Sequence, residues 1–161
     1  MSPNEVPDGL ELIGADEQSI DLRERATAGP LVVYFYPGDF TPVCTAQACG
    51  FRDDFDSFRE LGVEVIGVST DSAARHRKFA KKFSLPFTLT SDPGRRVSKR
   101  LGIGRVLGVF PPRVTLVIDR DGVIRERFSA LWRGRWHSRR ALEAARSLVS
   151  RDAEDRPGST A

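Results

Sequence analysis

Cys44 and Cys49 are the two cysteines of the 161-residue sequence, and they stand five positions apart. Two thiols are too few for a disulfide-stapled framework or for a four-cysteine zinc or iron–sulfur site. In a compartment that keeps thiols reduced, a close pair is more often catalytic than structural. Cys44, Ala48, Phe51, Phe55 and Phe58 repeat at the 4-3-4-3 spacing of one helical face. Pro42 suits the first position of that helix, with Thr41 as its cap. Cys44 then falls in the first turn, where unpaired backbone N–H groups and the helix dipole stabilise an anion. The thiolate is the nucleophilic form of cysteine, so this is a place for a reactive thiol. A lone cysteine on an apolar stripe is commonly an inert small hydrophobe. The helix start, the Pro37-Gly38 turn before it and the second thiol favour the reactive reading. Cys49 is expected on the opposite side of the helix, with Asp53, Asp56 and Glu60.

The spacing restricts what the pair can do together. Five residues along an intact helix amount to a rise of about 7.5 Å and a rotation of about 140°. The Cα atoms are then roughly 8.7 Å apart, beyond the ~7 Å reach of a disulfide. A bond between Cys44 and Cys49 therefore requires the first turns to unwind. The expectation is a two-state element, helical with free thiols and locally unfolded as a disulfide.

The elements that must hold this helix are legible around it. Leu31–Tyr36 and Val63–Val68 read as strands buried on both faces. Val114–Ile118 is a third, and Asp121-Gly122 turns it into a fourth, Val123–Phe128. Residues 43 to 60 read as one helix, Ser72 to Phe83 as a second capped by Asp71 or Ser72, Arg95 to Leu101 as a short one, and Ser138 to Val149 as the last. Parallel strands joined by helices, with an antiparallel hairpin at one edge, predict a three-layer α/β sandwich. Residues 1–150 are expected to form one domain and 151–161, with Pro157-Gly158-Ser159, a flexible tail.

Composition narrows the classes further. The chain is 40% hydrophobic and 29% charged, the balance of a soluble globular protein, with no apolar run long enough for a membrane span. Met1–Glu5 lacks the basic-then-apolar pattern of a secretory signal, which makes a cytoplasmic location the expectation. The net charge of +3 is uneven, with 7 basic and 14 acidic residues in 1–80 against 18 and 8 in 81–161. Such asymmetry can mark a nucleic-acid surface. Here arginine supplies 21 of the 25 cations, spread through patterned segments, and a solvated basic face is the favoured reading.

The segment Tyr34–Asp53, with Pro37, Thr41 and Cys44 as Pro-x-x-x-Thr-x-x-Cys, resembles the active-site segment of the peroxiredoxins. More narrowly it is similar to the PrxQ, or bacterioferritin-comigratory, subgroup, whose members often carry a resolving cysteine five residues after the peroxidatic one. The likeness runs through Val65–Asp71, Phe87–Asp92 and Arg113–Asp119, and covers residues 6 to 149. It implies a thioredoxin-like sandwich, a central mixed β-sheet flanked by helices. It implies a thiol-dependent peroxidase reducing hydrogen peroxide and organic hydroperoxides, with no cofactor and no metal. Cys44 would be the peroxidatic nucleophile and Cys49 the resolving cysteine, forming an intramolecular disulfide that thioredoxin or a similar dithiol protein reduces. Thr41 and Arg113 would hold the peroxide, Pro37 would shield the site, and Gln47 would support it. A monomer is implied, a homodimer being the alternative.

Other signals are weaker. A thioredoxin-like disulfide oxidoreductase is the alternative enzyme, but such enzymes use Cys-x-x-Cys. Gly102-x-Gly104 follows no strand and opens no helix, so it is not read as a nucleotide loop. His76, among Arg75, Arg77 and Lys78, reads as solvated. Trp132–His137 interleaves aromatics with arginines, and packing of both tryptophans against the sheet edge is favoured over a partner contact.

Overall fold

The computed structural model describes residues 4–104, 113–129 and 134–154. The chain opens with β1 (Glu11–Gly14), β2 (Ser19–Asp21) and α1 (Leu22–Ala26), followed by β3 (Leu31–Phe35). Next come α2 (Pro42–Asp53), α3 (Phe55–Glu60), β4 (Glu64–Ser69), α4 (Ala73–Phe83) and β5 (Thr88–Ser91). The rest is a single 3₁₀ turn at Pro93–Arg95, α5 (Arg96–Arg100), β6 (Val114–Ile118), β7 (Ile124–Ser129) and α6 (Gly134–Glu154). Among the described residues no helix is long and apolar enough to cross a membrane.

The strands form one sheet in the order β2-β1-β5-β4-β3-β6-β7. β3, β4 and β5 are parallel, and the outer pairings are antiparallel. β3 is buried along its whole length because it has helices on both sides. Val32 and Tyr34 join Phe51, Phe58, Phe79 and Ala145 in the core beneath α2, α3, α4 and α6. Leu31, Val33 and Phe35 join Leu22, Ala26 and Val97 in the core beneath α1 and α5. This is the expected three-layer sandwich. Tyr34 lies flat across the sheet because its neighbour is Gly67, where a Cβ would stand 2.8 Å from the ring.

Three expectations need correction. The sheet has seven strands rather than four, because β1, β2 and β5 have three or four residues each and carry no long apolar run. The helix expected over 43–60 breaks at Asp54 (φ −94°, ψ 3°). Phe58 is thereby fully buried, while Phe55 on the same stripe is only partly covered. The last helix is longer than expected at both ends, and it reaches Glu154, four residues into the segment read as a tail. Trp132 lies outside the described residues.

Candidate active site

Tyr36 follows β3, the chain turns through Pro37–Phe40, and α2 begins at Pro42. Thr41 has the extended backbone of a helix cap (φ −76°, ψ 147°), with Pro42 as the first helical residue. The sequence predicts a capping side chain here, but the Thr41 side chain makes no cap hydrogen bond. The hydroxyl donates instead to the Gly38 carbonyl at 3.2 Å, within the loop. The first-turn N–H groups therefore remain free of a Thr41 side-chain bond.

Cys44 is 1% exposed, beneath the first turn of α2. The β3–β6 register pairs Phe35 with Val114, which sets Arg113 beside Tyr36 at the same end of the sheet. From there the buried guanidinium reaches Cys44, 69 residues away in the chain: Nη2 donates to Sγ at 3.2 Å. Nη1 donates to Oε1 of Gln47, one turn on from Cys44, at 2.5 Å. A buried guanidinium is expensive unless its N–H groups are used, and the fork spans two groups on one helix face. The arrangement brings a cation and a fixed donor to the sulfur. It stabilises negative charge there, whether on the thiolate or on an oxygen bound beside it.

Cys49 departs from its expected outer position: it is 9% exposed. The reason is α6, which packs along the flank of α2 that local periodicity leaves open. Both cysteines are free thiols in an unbroken helix. The two helices meet at Gly50, where a Cβ would stand 2.8 Å from Ser138 Oγ and 3.4 Å from the Arg135 backbone. A glycine inside a helix costs about 1 kcal/mol relative to alanine, so close approach is the reason for it. Gly50→Val should destabilise the fold by about 1–3 kcal/mol through overpacking. The check is the denaturant midpoint together with thiol titration: an unchanged midpoint and an unchanged Cys49 reactivity would refute this account of the contact.

The Tyr34 hydroxyl is buried and has no hydrogen-bond partner among the described residues. Burial pushes its pKa well above the usual phenol value, Asp39 and Cys44 add to the rise, and Arg113 opposes it. Tyr34 therefore stays neutral beside the thiols.

One buried constellation was missed in the sequence. His76, read as solvated, is fully buried. Its Nδ1 donates to Asp39 Oδ2 at 2.7 Å, and Asp39 Oδ1 accepts from the Tyr36 hydroxyl at 2.5 Å. The available signal was the spacing of His76, Phe79 and Phe83, which lies on one helical face. His137 is likewise buried, with Nδ1 2.7 Å from the Thr115 hydroxyl. Trp136 stays exposed and sets its ring edge-on to Phe128 of the edge strand. Among the described residues no three His, Cys, Asp or Glu side chains gather as metal ligands.

Residues 4–127 match the AhpC/TSA family model. The chain belongs to this family, the peroxiredoxins. It is 46% identical over 149 residues to the chloroplastic peroxiredoxin Q of Oryza sativa subsp. japonica, covering 92% of this chain and 68% of that protein. The peroxidoxin BcpB of Mycobacterium tuberculosis superposes with a TM-score of 0.81 at 33% identity, over 89% of this chain and 95% of that one. The bacterioferritin comigratory protein of Xanthomonas campestris gives a TM-score of 0.81 at 25% identity, over 90% and 97% of the two chains. These relatives put the chain in the PrxQ subgroup, as the Cys44 segment implied. The peroxiredoxin fold is thioredoxin-like, and its activity is thiol-dependent peroxide reduction.

Proposed function

We propose that Cys44 is the peroxidatic cysteine of this peroxiredoxin and Cys49 its resolving partner. The observation that carries the reading is the Arg113 Nη2 donor 3.2 Å from Cys44 Sγ. The Cys44 thiolate attacks the terminal oxygen of a hydroperoxide, the O–O bond breaks, and the departing alkoxide or hydroxide takes up a proton. Cys44 becomes a sulfenic acid. Arg113 bears on both the sulfur and the charge that develops on the oxygens. Thr41 and Pro37 belong to the loop that borders the helix start, Thr41 exposed and Pro37 half-buried, which suits groups that meet the entering peroxide. Gln47 fixes the guanidinium through its Oε1.

Cys49 then attacks the sulfenic sulfur, forming the disulfide and releasing water. A dithiol protein of the thioredoxin type reduces the bond by exchange and is itself oxidised to a disulfide. Organic hydroperoxides join hydrogen peroxide as proposed substrates, in line with the alkyl peroxide reduction of the Xanthomonas campestris relative. The cytoplasm is our reading of its location, although several plant relatives are chloroplastic. A monomer suffices for this chemistry, since both cysteines lie on one helix.

Mass spectrometry after one equivalent of hydrogen peroxide tests the scheme. The expected product has lost two hydrogens, mapped to a Cys44–Cys49 bond. Cys49→Ser should instead gain one oxygen on Cys44 and stop after a single turnover. A peroxide-treated wild type with both thiols intact would sink the scheme.

A further inference from the structure

Among the described residues, the loop before the nucleophile is tied to the molecule mainly from the side of α4. Asp39 has four hydrogen-bonding groups, and all four are occupied from outside α2. Its N–H donates to Asp71 Oδ2 at 2.7 Å, and its carbonyl accepts from Arg75 Nη2 at 3.1 Å. Its carboxylate takes the Tyr36 hydroxyl on Oδ1 and His76 Nδ1 on Oδ2, with both Asp39 and His76 out of solvent. Burial pushes the Tyr36 pKa well up, with Tyr34 and Asp39 adding to it, so the phenol remains a donor. Ser69 extends the network, its hydroxyl donating to Asp71 at 2.9 Å and lying 3.4 Å from His76 Nε2.

Phe40, next in the chain, has φ +68°, a region that a bulky side chain occupies only under compensation. The compensation again comes from α4. The Phe40 ring packs edge-on to Phe79 with centroids 5.1 Å apart, and the Arg75 guanidinium lies 5.1 Å above its centroid. Toward α2 the links are fewer. Pro42 at the first helical position has no N–H to give, and the Thr41 carbonyl accepts the Thr45 N–H at 2.8 Å.

We propose that His76, assisted by Arg75, is a positioning residue for the peroxidase reaction. It clamps Asp39 to α4, so that the Pro37–Thr41 loop keeps its shape while the first turns of α2 unwind for the disulfide. The hinge is the Thr41–Pro42 junction. Opening there breaks the Thr45-to-Thr41 bond and leaves every Asp39 bond in place. A loop that survives the open state is ready for the next peroxide once α2 refolds, and a misplacement of about 1 Å in such a loop costs on the order of 10²-fold in rate. This inference deepens the peroxidase reading and rests on it.

The test compares His76→Leu, which keeps the shape and loses the donor, with His76→Asn, whose amide nitrogen stands where Nδ1 stood. Both full-length variants are assayed well below their melting transitions for the rate of Cys44 oxidation by hydrogen peroxide. His76→Leu should lose about 10²-fold, and His76→Asn should recover to within about 10-fold of wild type. Equal rates for the two variants would overturn the clamp. Should His76→Leu not fold, Arg75→Met on the exposed face still tests it, with an expected loss of about fivefold, the equivalent of one hydrogen bond. Wild-type speed in Arg75→Met would then count against it. Hydrogen exchange on the unmodified chain gives the independent readout. The Asp39 amide should stay protected in the disulfide form while amides of residues 45–48 lose protection, and loss at Asp39 as well would reject the hinge. Wild type that fails to consume peroxide through Cys44 removes the peroxidase reading, whereas an active wild type with an unaffected His76→Leu removes the clamp alone.

Discussion

Cys44→Ser should remain folded and consume hydrogen peroxide at least about 10⁴-fold more slowly than wild type, the scale of loss when a nucleophile is deleted. The reasons are chemical and not steric. A serine hydroxyl is scarcely ionised at neutral pH, and its oxygen cannot be taken to the level of a sulfenic acid. The site itself should persist. Cys44 is a small buried side chain, and the Arg113 Nη2 that donates to its sulfur can donate to an oxygen in the same place. The new hydroxyl therefore keeps a donor on its oxygen, its O–H can turn back to the carbonyl one turn earlier as helical serines do, and the melting temperature should move by only a few degrees. The measurement is peroxide consumption with a dithiol reductant in excess, alongside thermal unfolding. Peroxide consumption at the wild-type rate would locate the nucleophile elsewhere.

Arg113→Met should cost about 10²–10³-fold in the rate of Cys44 oxidation, the range found when one preorganised donor to a developing oxyanion is removed. Methionine keeps much of the volume and the apolar stem but presents neither charge nor N–H. Arg113→Lys sharpens the test. A single ammonium can reach the sulfur or Gln47 Oε1, but it does not reproduce the planar fork that now reaches both. The lysine variant should therefore fall between wild type and methionine. Rapid-mixing kinetics on the reduced proteins, read by intrinsic fluorescence or by competition for peroxide, separates the three. Lysine and methionine variants of equal rate would mean that charge is irrelevant and only the fork matters. Variants as fast as wild type would remove Arg113 from the reaction.

The central strands and the cysteine helix were legible because their signals are local. Leu31–Phe35 is an unbroken apolar run, and Pro42 marks the start of α2 in the sequence itself. The short strands were not legible. β5 reads Thr-Leu-Thr-Ser and is held as a strand by β4 on one side and β1 on the other. Thr41 shows how a correct position can hide a wrong contact. It occupies the cap position, but the tight turn offers its hydroxyl the Gly38 carbonyl instead of a helix N–H. His76 was misread because its immediate neighbours are cations, although its place on the Phe79–Phe83 face turns it inward.

By itself the sequence determined that Cys44 stands in the first turn of a helix behind a buried strand, and that Cys49 is out of bonding reach while that helix is intact. Both follow from the period and rise of the α-helix, which any stretch of helix carries with it. Tertiary structure alone decided what surrounds the two thiols. Cys49 is covered because α6, about 85 residues further on, packs against the flank of α2 at Gly50, where the absence of a Cβ admits it. Arg113 meets Cys44 because β6 pairs with β3 in one register, and a one-residue slip would send it to the other face of the sheet. Asp39 meets His76 because α4 folds back over the β3 loop. The pair of thiols can be read from one helix, but the charge, the donors and the clamp that act on it come from segments that only the sheet brings together.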